Sequence, residues 1–140
     1  MGRVADYVIG LLDEILDGGV EWEKRYPWAL GDRSGKTGRR AQLSFDAVWE
    51  ARRLVVEVDE DQHRRPVTFW DKPDRLTVSG VDRREQRRIY DVRKRAAARS
   101  RVYTLVEIEW ERRPAPAKRD RAVDRVRLEG LLRAAGINPD

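Results

Sequence analysis

Cysteine is absent from the 140 residues, which excludes disulfides, thiolate catalysis and cysteine-ligated zinc. Histidine occurs once, as His63, so motifs that need two or more histidines are excluded as well. No run approaches the roughly 20 apolar residues of a membrane-spanning helix. The start, Met1-Gly2-Arg3-Val4-Ala5-Asp6, lacks the apolar core of a signal peptide, and Asp6 stands where a myristoylation signal wants Ser or Thr. The expectation is a cytoplasmic protein with no membrane partner. There is no internal repeat and no low-complexity tract.

What is present is charge. Lys plus Arg total 30 and Asp plus Glu total 25, a net charge of +5. That balance suits a nucleic-acid partner, and equally a soluble protein with solvated charges. Hydrophobic residues make up 40% of the chain, enough for one modest core.

Val8, Leu11, Leu12 and Ile15 recur at helical spacing, predicting a helix over Val4–Leu16 that Gly18-Gly19 stops. Residues 20–40 read as a loop anchored by Trp22, Tyr26 and Trp28, with room for a short strand. Ala41–Trp49 alternates, with Leu43, Phe45, Ala47 and Trp49 on one side and Ser44, Asp46 and Val48 on the other. A tight turn, Glu50-Ala-Arg-Arg53, leads to a second strand, Leu54–Asp59. Beyond His63 lies a mixed segment with Phe69-Trp70, an aromatic pair that suits either loop packing or a wedge between bases.

Asp82 and Glu85 form a capping box for a helix to about Arg99, with Ile89, Val92 and Ala96 as its apolar stripe. A strand is expected over Val102–Ile108, its start buried. A last helix, Lys118–Ala135, should turn Val123, Val126, Leu131 and Leu132 inward. The order of elements predicts one mixed α/β domain with a central sheet.

The hairpin makes the sharpest prediction. With the turn centred between Ala51 and Arg52, Trp49 faces Leu54, Val48 faces Val55 and Asp46 faces Glu57. Two carboxylates are then direct neighbours, and Asp59 follows on the same face. Like charges so placed repel. Three things can offset the repulsion: a raised pKa, an inserted Arg or Lys, or a bound cation. An all-oxygen site suits Mg²⁺ or Mn²⁺. His63, four residues past Asp59, could act as a general base or orient a water, or be a surface residue. Gln62 beside it could contact phosphate. On the second helix Arg84, Arg87, Asp91 and Lys94 share a face. That face suits phosphate contacts or simple i,i+4 ion pairing.

Phe45-Asp46, a short turn, then Leu54-Val-Val-Glu-Val-Asp-Glu-Asp-Gln-His63 resembles the PD-(D/E)XK nuclease superfamily. It is most similar to the very-short-patch-repair endonucleases and their small bacterial relatives. The resemblance spans about residues 4–110 and continues in the Arg88–Lys94 helix and the Arg101–Val106 segment. It implies a restriction-endonuclease-like mixed central sheet flanked by helices, in one nuclease domain over 1–140, with the helix at about 118–135 outside the core. It implies Asp46 and Glu57 as ligands of Mg²⁺ or Mn²⁺, with Glu14 on the first helix near the metal, or Asp13 or Asp17 in its place. The implied reaction is phosphodiester hydrolysis, most naturally in DNA, with His63 or Asp59 taking the proton. Asp59 stands where the superfamily usually has lysine, and Lys94 is a candidate for the displaced positive charge. Asp59 and Glu60 also motivate a non-catalytic nucleic-acid-binding module with a decayed site. A third reading is an interaction protein whose last helix docks a partner or a second copy as a homodimer.

Overall fold

The computed structural model describes residues 2–60 and 83–139. Three helices flank a four-stranded mixed sheet. In chain order the elements are α1 (Arg3–Ile15), β1 (Glu21–Arg33), β2 (Arg40–Trp49), β3 (Leu54–Glu60), α2 (Arg83–Ser100), β4 (Thr104–Trp110) and α3 (Arg121–Ala134). The sheet order is β1-β2-β3-β4. The first three strands are antiparallel neighbours, and β4 runs parallel to β3. The parallel pair needs a crossover, and α2 lies within it. Among the described residues no helix is long and apolar enough to cross a membrane.

The apolar spacing of α1 buries Val4, Val8, Ile9, Leu11, Leu12 and Ile15. The helix stops where Asp17, Gly18 and Gly19 all take positive φ, a conformation that glycine adopts without steric cost. The α1 carboxylate Asp13 accepts hydrogen bonds from the Trp49 indole N–H and the Val20 backbone N–H, each at 3.1 Å. At the other end of the helix, Glu60 accepts from the Ala5 N–H at 3.1 Å. Helix α1 therefore runs antiparallel to β3.

The two faces of the sheet carry separate cores. Leu54, Val56, Val58, Ile108 and Trp110 pack against α1 and against Leu128 and Leu132 of α3. Phe45, Val48 and Val55 pack on the other face with Tyr26, Ala29 and Ala98. Complete burial of such side chains contributes roughly 1.5–3 kcal/mol each, which is why both helix layers adhere to the sheet.

Several expectations need correction. Residues 21–33 form a long edge strand instead of a loop. Its ladder with β2 shifts register between Arg25 and Leu30, the interval that holds Pro27, which has no N–H for a ladder, and again between Leu30 and Arg33. Strand β4 starts two residues later than expected. Val102, at φ 65° and 78% exposed, belongs to the turn out of α2. On α2 the stripe Ile89–Val92–Ala96 does not face inward, since Val92 is exposed and Ala98 is the buried residue. On α3, Leu128 and Leu132 are inward while Val123 and Val126 are 62% and 69% exposed and Leu131 is also exposed. Asp120 sets that helix start by accepting from the Ala122 and Val123 N–H groups. The Asp82 cap and the Phe69-Trp70 pair lie outside the described residues.

Candidate functional site

The hairpin register is the predicted one: Trp49 pairs with Leu54, Val48 with Val55 and Ala47 with Val56. A turn of 3-10 helix over Glu50–Arg52, closed by Arg53 in the left-handed conformation, makes the connection. At Asp46 the ladder between β2 and β3 ends, although β2 stays paired with β1 through Phe45 and Ser44. Side chains take over the backbone bonding there. The Asp46 N–H donates to Glu57 Oε2 at 3.0 Å, and the Val58 N–H donates to Asp46 Oδ2 at 2.8 Å.

Strict alternation also fails at this point. Phe45 and Val48, three residues apart, share the α2-side core, while Ala47 packs on the α1 side. The expected grouping of Phe45 with Ala47 and Trp49 is therefore wrong. Across the β1 ladder, the facing residue Glu23 has φ 49°, so both strands are irregular at the same level. The irregularity places Asp46 beside Glu57 where two strands part.

Lys94 reaches this pair from α2. Its ammonium forms an ion pair with Glu57 Oε1 and lies 5.5 Å from the Phe45 ring centre. Its side chain is 16% exposed and that of Glu57 19%, so water screens the pair weakly. Burial pushes the Glu57 carboxyl up to about 8; Lys94 pulls it down, and the Asp46 charge adds to the rise. Two of the three possible answers to carboxylate repulsion are thus present: a raised pKa and an inserted lysine.

The group forms the wall of a cleft of about 320 Å³ between α2 and the sheet. Six carboxylates (Asp46, Glu57, Asp59, Asp91, Glu107, Glu109) and three basic groups (Arg87, Lys94, Arg95) line it. Glu107 and Glu109 arrive through the parallel register, opposite Glu57 and Asp59 respectively. Arg95 forms an ion pair with Glu107.

The structure thus brings together Asp46, Glu57, Asp59, Arg87 and Lys94. Glu14 is not among them. It pairs with Arg121 at 2.6 Å and Arg125 at 3.5 Å, in the α1–α3 layer on the opposite face of the sheet. Asp13, one of the two alternatives to Glu14, accepts from Trp49 and Val20. Arg84 is exposed and absent from the cleft wall. His63 and Gln62 lie outside the described residues. The sequence reading missed Glu107 and Glu109. Their signal was the alternation of Leu105, Glu107 and Glu109 on a strand parallel to β3.

Among the described residues, no group of three or more Asp, Glu, His or Cys side chains is arranged to hold a metal ion. A divalent cation here would rest on Asp46 and Glu57 alone. That donor set fits Mg²⁺, which takes one or two carboxylates and completes its shell with water and phosphate oxygens. Comparison with protein-family models, with curated proteins and with solved structures finds no match to this chain.

Proposed function

We propose that this protein is a metal-dependent nuclease that hydrolyses phosphodiester bonds, in DNA first of all, with a restriction-endonuclease-like fold. The observation that carries the reading is the convergence of Asp46, Glu57 and Lys94 in one cleft, from β2, β3 and α2. The layout supports the resemblance in a further respect. The superfamily's usual lysine is Asp59 here, and a lysine ammonium nevertheless meets Glu57 from α2.

Asp46 and Glu57 would hold a Mg²⁺ or Mn²⁺ ion, which when bound supplies a Lewis acid and lowers the pKa of water. The protein's own groups do the rest. Lys94 holds positive charge where a phosphate oxygen gains negative charge. Asp59 in the cleft, or His63 beyond the described residues, accepts the proton of the attacking water. Arg87 on the same wall orients the diester. Incubating supercoiled plasmid with the protein tests this directly: nicking with Mg²⁺ that chelation stops is expected, and nicking unaffected by chelation would refute metal dependence.

A second reading is a nucleic-acid-binding module with a decayed site. The observation favouring it is the Lys94–Glu57 ion pair, which gives the carboxylate a counter-cation of its own. Calorimetric titration with Mn²⁺ separates the two. The nuclease should bind the ion and Asp46→Asn should lose it, whereas the module should bind none.

A further inference from the structure

A second cavity, of about 280 Å³, lies along α2 and shares the Arg87, Asp91 and Lys94 wall with the carboxylate cleft. The two form one trough with opposite ends. The first end is acidic, as described above. The second carries Arg83 and Arg87 against a single carboxylate, Asp91, with Lys94, ion-paired to Glu57, at the junction of the two. Ser44 and Gln86 add a hydroxyl and an amide to its wall. Leu43 and the half-buried Tyr90 ring supply an apolar surface.

We infer that the basic end of the trough is a subsite for a flanking phosphodiester group of the nucleic-acid strand whose neighbouring diester lies at Asp46 and Glu57. The inference rests on the nuclease reading and gives the substrate a direction: the strand enters over Ser44 and Arg83 and crosses Arg87 and Lys94 toward the acids. The chemistry of each end argues for it. A guanidinium, a hydroxyl and an amide are donors for phosphate oxygens, and such contacts fix register without reading sequence. The acidic end repels a polyanion unless a cation is present. The basic end therefore provides the metal-independent part of the affinity, and its apolar wall suits a sugar or base edge.

The test is fluorescence anisotropy with a labelled single-stranded DNA oligonucleotide in chelator, over a salt series. Wild type is compared with Arg83→Ala, Arg83→Lys, Ser44→Ala and Arg133→Ala. Arg133 is an exposed residue in the last turn of α3, and its removal costs the same charge. Arg83→Ala should weaken binding several-fold and lower the slope of log K against log salt by about 0.7, one phosphate contact on a single strand. Arg83→Lys should keep the slope, Ser44→Ala should weaken binding without changing it, and Arg133→Ala should change neither. Arg83→Ala behaving like Arg133→Ala, or wild type that fails to bind, would overturn the subsite. Cleavage is scored separately on wild type. Arg83-dependent binding without cleavage keeps the subsite and removes the nuclease. Cleavage with Arg83-independent binding does the reverse.

Discussion

Replacing Glu57 with Gln should abolish a specific pH dependence of folding stability. Glu57 ionises near 4.5 in an unfolded chain and at about 8 in the folded one, because burial and Asp46 outweigh Lys94. The folded chain therefore keeps a proton that the unfolded chain has already released. The resulting stability is complete below about 4.5 and falls as pH rises toward 8, after which it is flat. At about 1.4 kcal/mol per pH unit, the loss across the window is roughly 3–5 kcal/mol. For a domain of this size that is a fall in Tm of roughly 10–17 °C. Other groups titrate over the same range, so the quantity to compare is the difference between wild type and Glu57→Gln. Melts followed by circular dichroism at about pH 5 and about pH 9 in chelator measure it. Wild type should lose the larger share of stability at high pH, and Mg²⁺ should restore it there by binding the ionised carboxylate. Equal pH slopes for the two proteins would refute the argument that Glu57 is buried against Asp46 with insufficient compensation.

Lys94→Met leaves the Asp46–Glu57 pair without its ammonium, and cleavage measured on gels should fall by about 100-fold while Mn²⁺ binding persists. Unchanged cleavage would show that Lys94 serves only the ion pair. Leu128→Ala should lower stability by about 2–5 kcal/mol in urea titrations, because the side chain is fully buried against α1 and the sheet. Val126→Ser, on the exposed side of the same helix, should change it by less than about 0.5 kcal/mol. Asp13→Ala strips the acceptor from two N–H groups and should cost roughly 2–4 kcal/mol, with a red shift in Trp49 fluorescence reporting the loosened hairpin end.

How far the sequence revealed this layout depended on what faced the sheet. The Asp46–Glu57 juxtaposition was legible because Val48–Val55 and Trp49–Leu54 are apolar pairs that fix the register, and a slip by one would have exposed them. Helix α1 was legible because its apolar face is continuous. Strand β1 was not, since Pro27 and its bulges interrupt the period of two and an edge strand needs only one partner. The inner face of α2 was misread for a different reason. Its half-buried residues include Gln86, Tyr90 and Lys94, polar side chains that roof a cleft, so apolar periodicity pointed to the wrong side. The apolar residues of α3 were too numerous for one face, and only packing decides between Leu128 and Val126. Glu14 was placed by resemblance, and its arginine partners on α3 hold it elsewhere.

The most direct measurement is cleavage of plasmid and of single- and double-stranded DNA and RNA oligonucleotides with Mg²⁺ or Mn²⁺, comparing wild type with Asp46→Ala and Glu57→Ala. Metal-dependent cutting by wild type that both variants lose is the predicted result. Folded wild type that cuts none of these substrates, or variants that cut as well as wild type, would contradict the assignment of a nuclease site to Asp46 and Glu57.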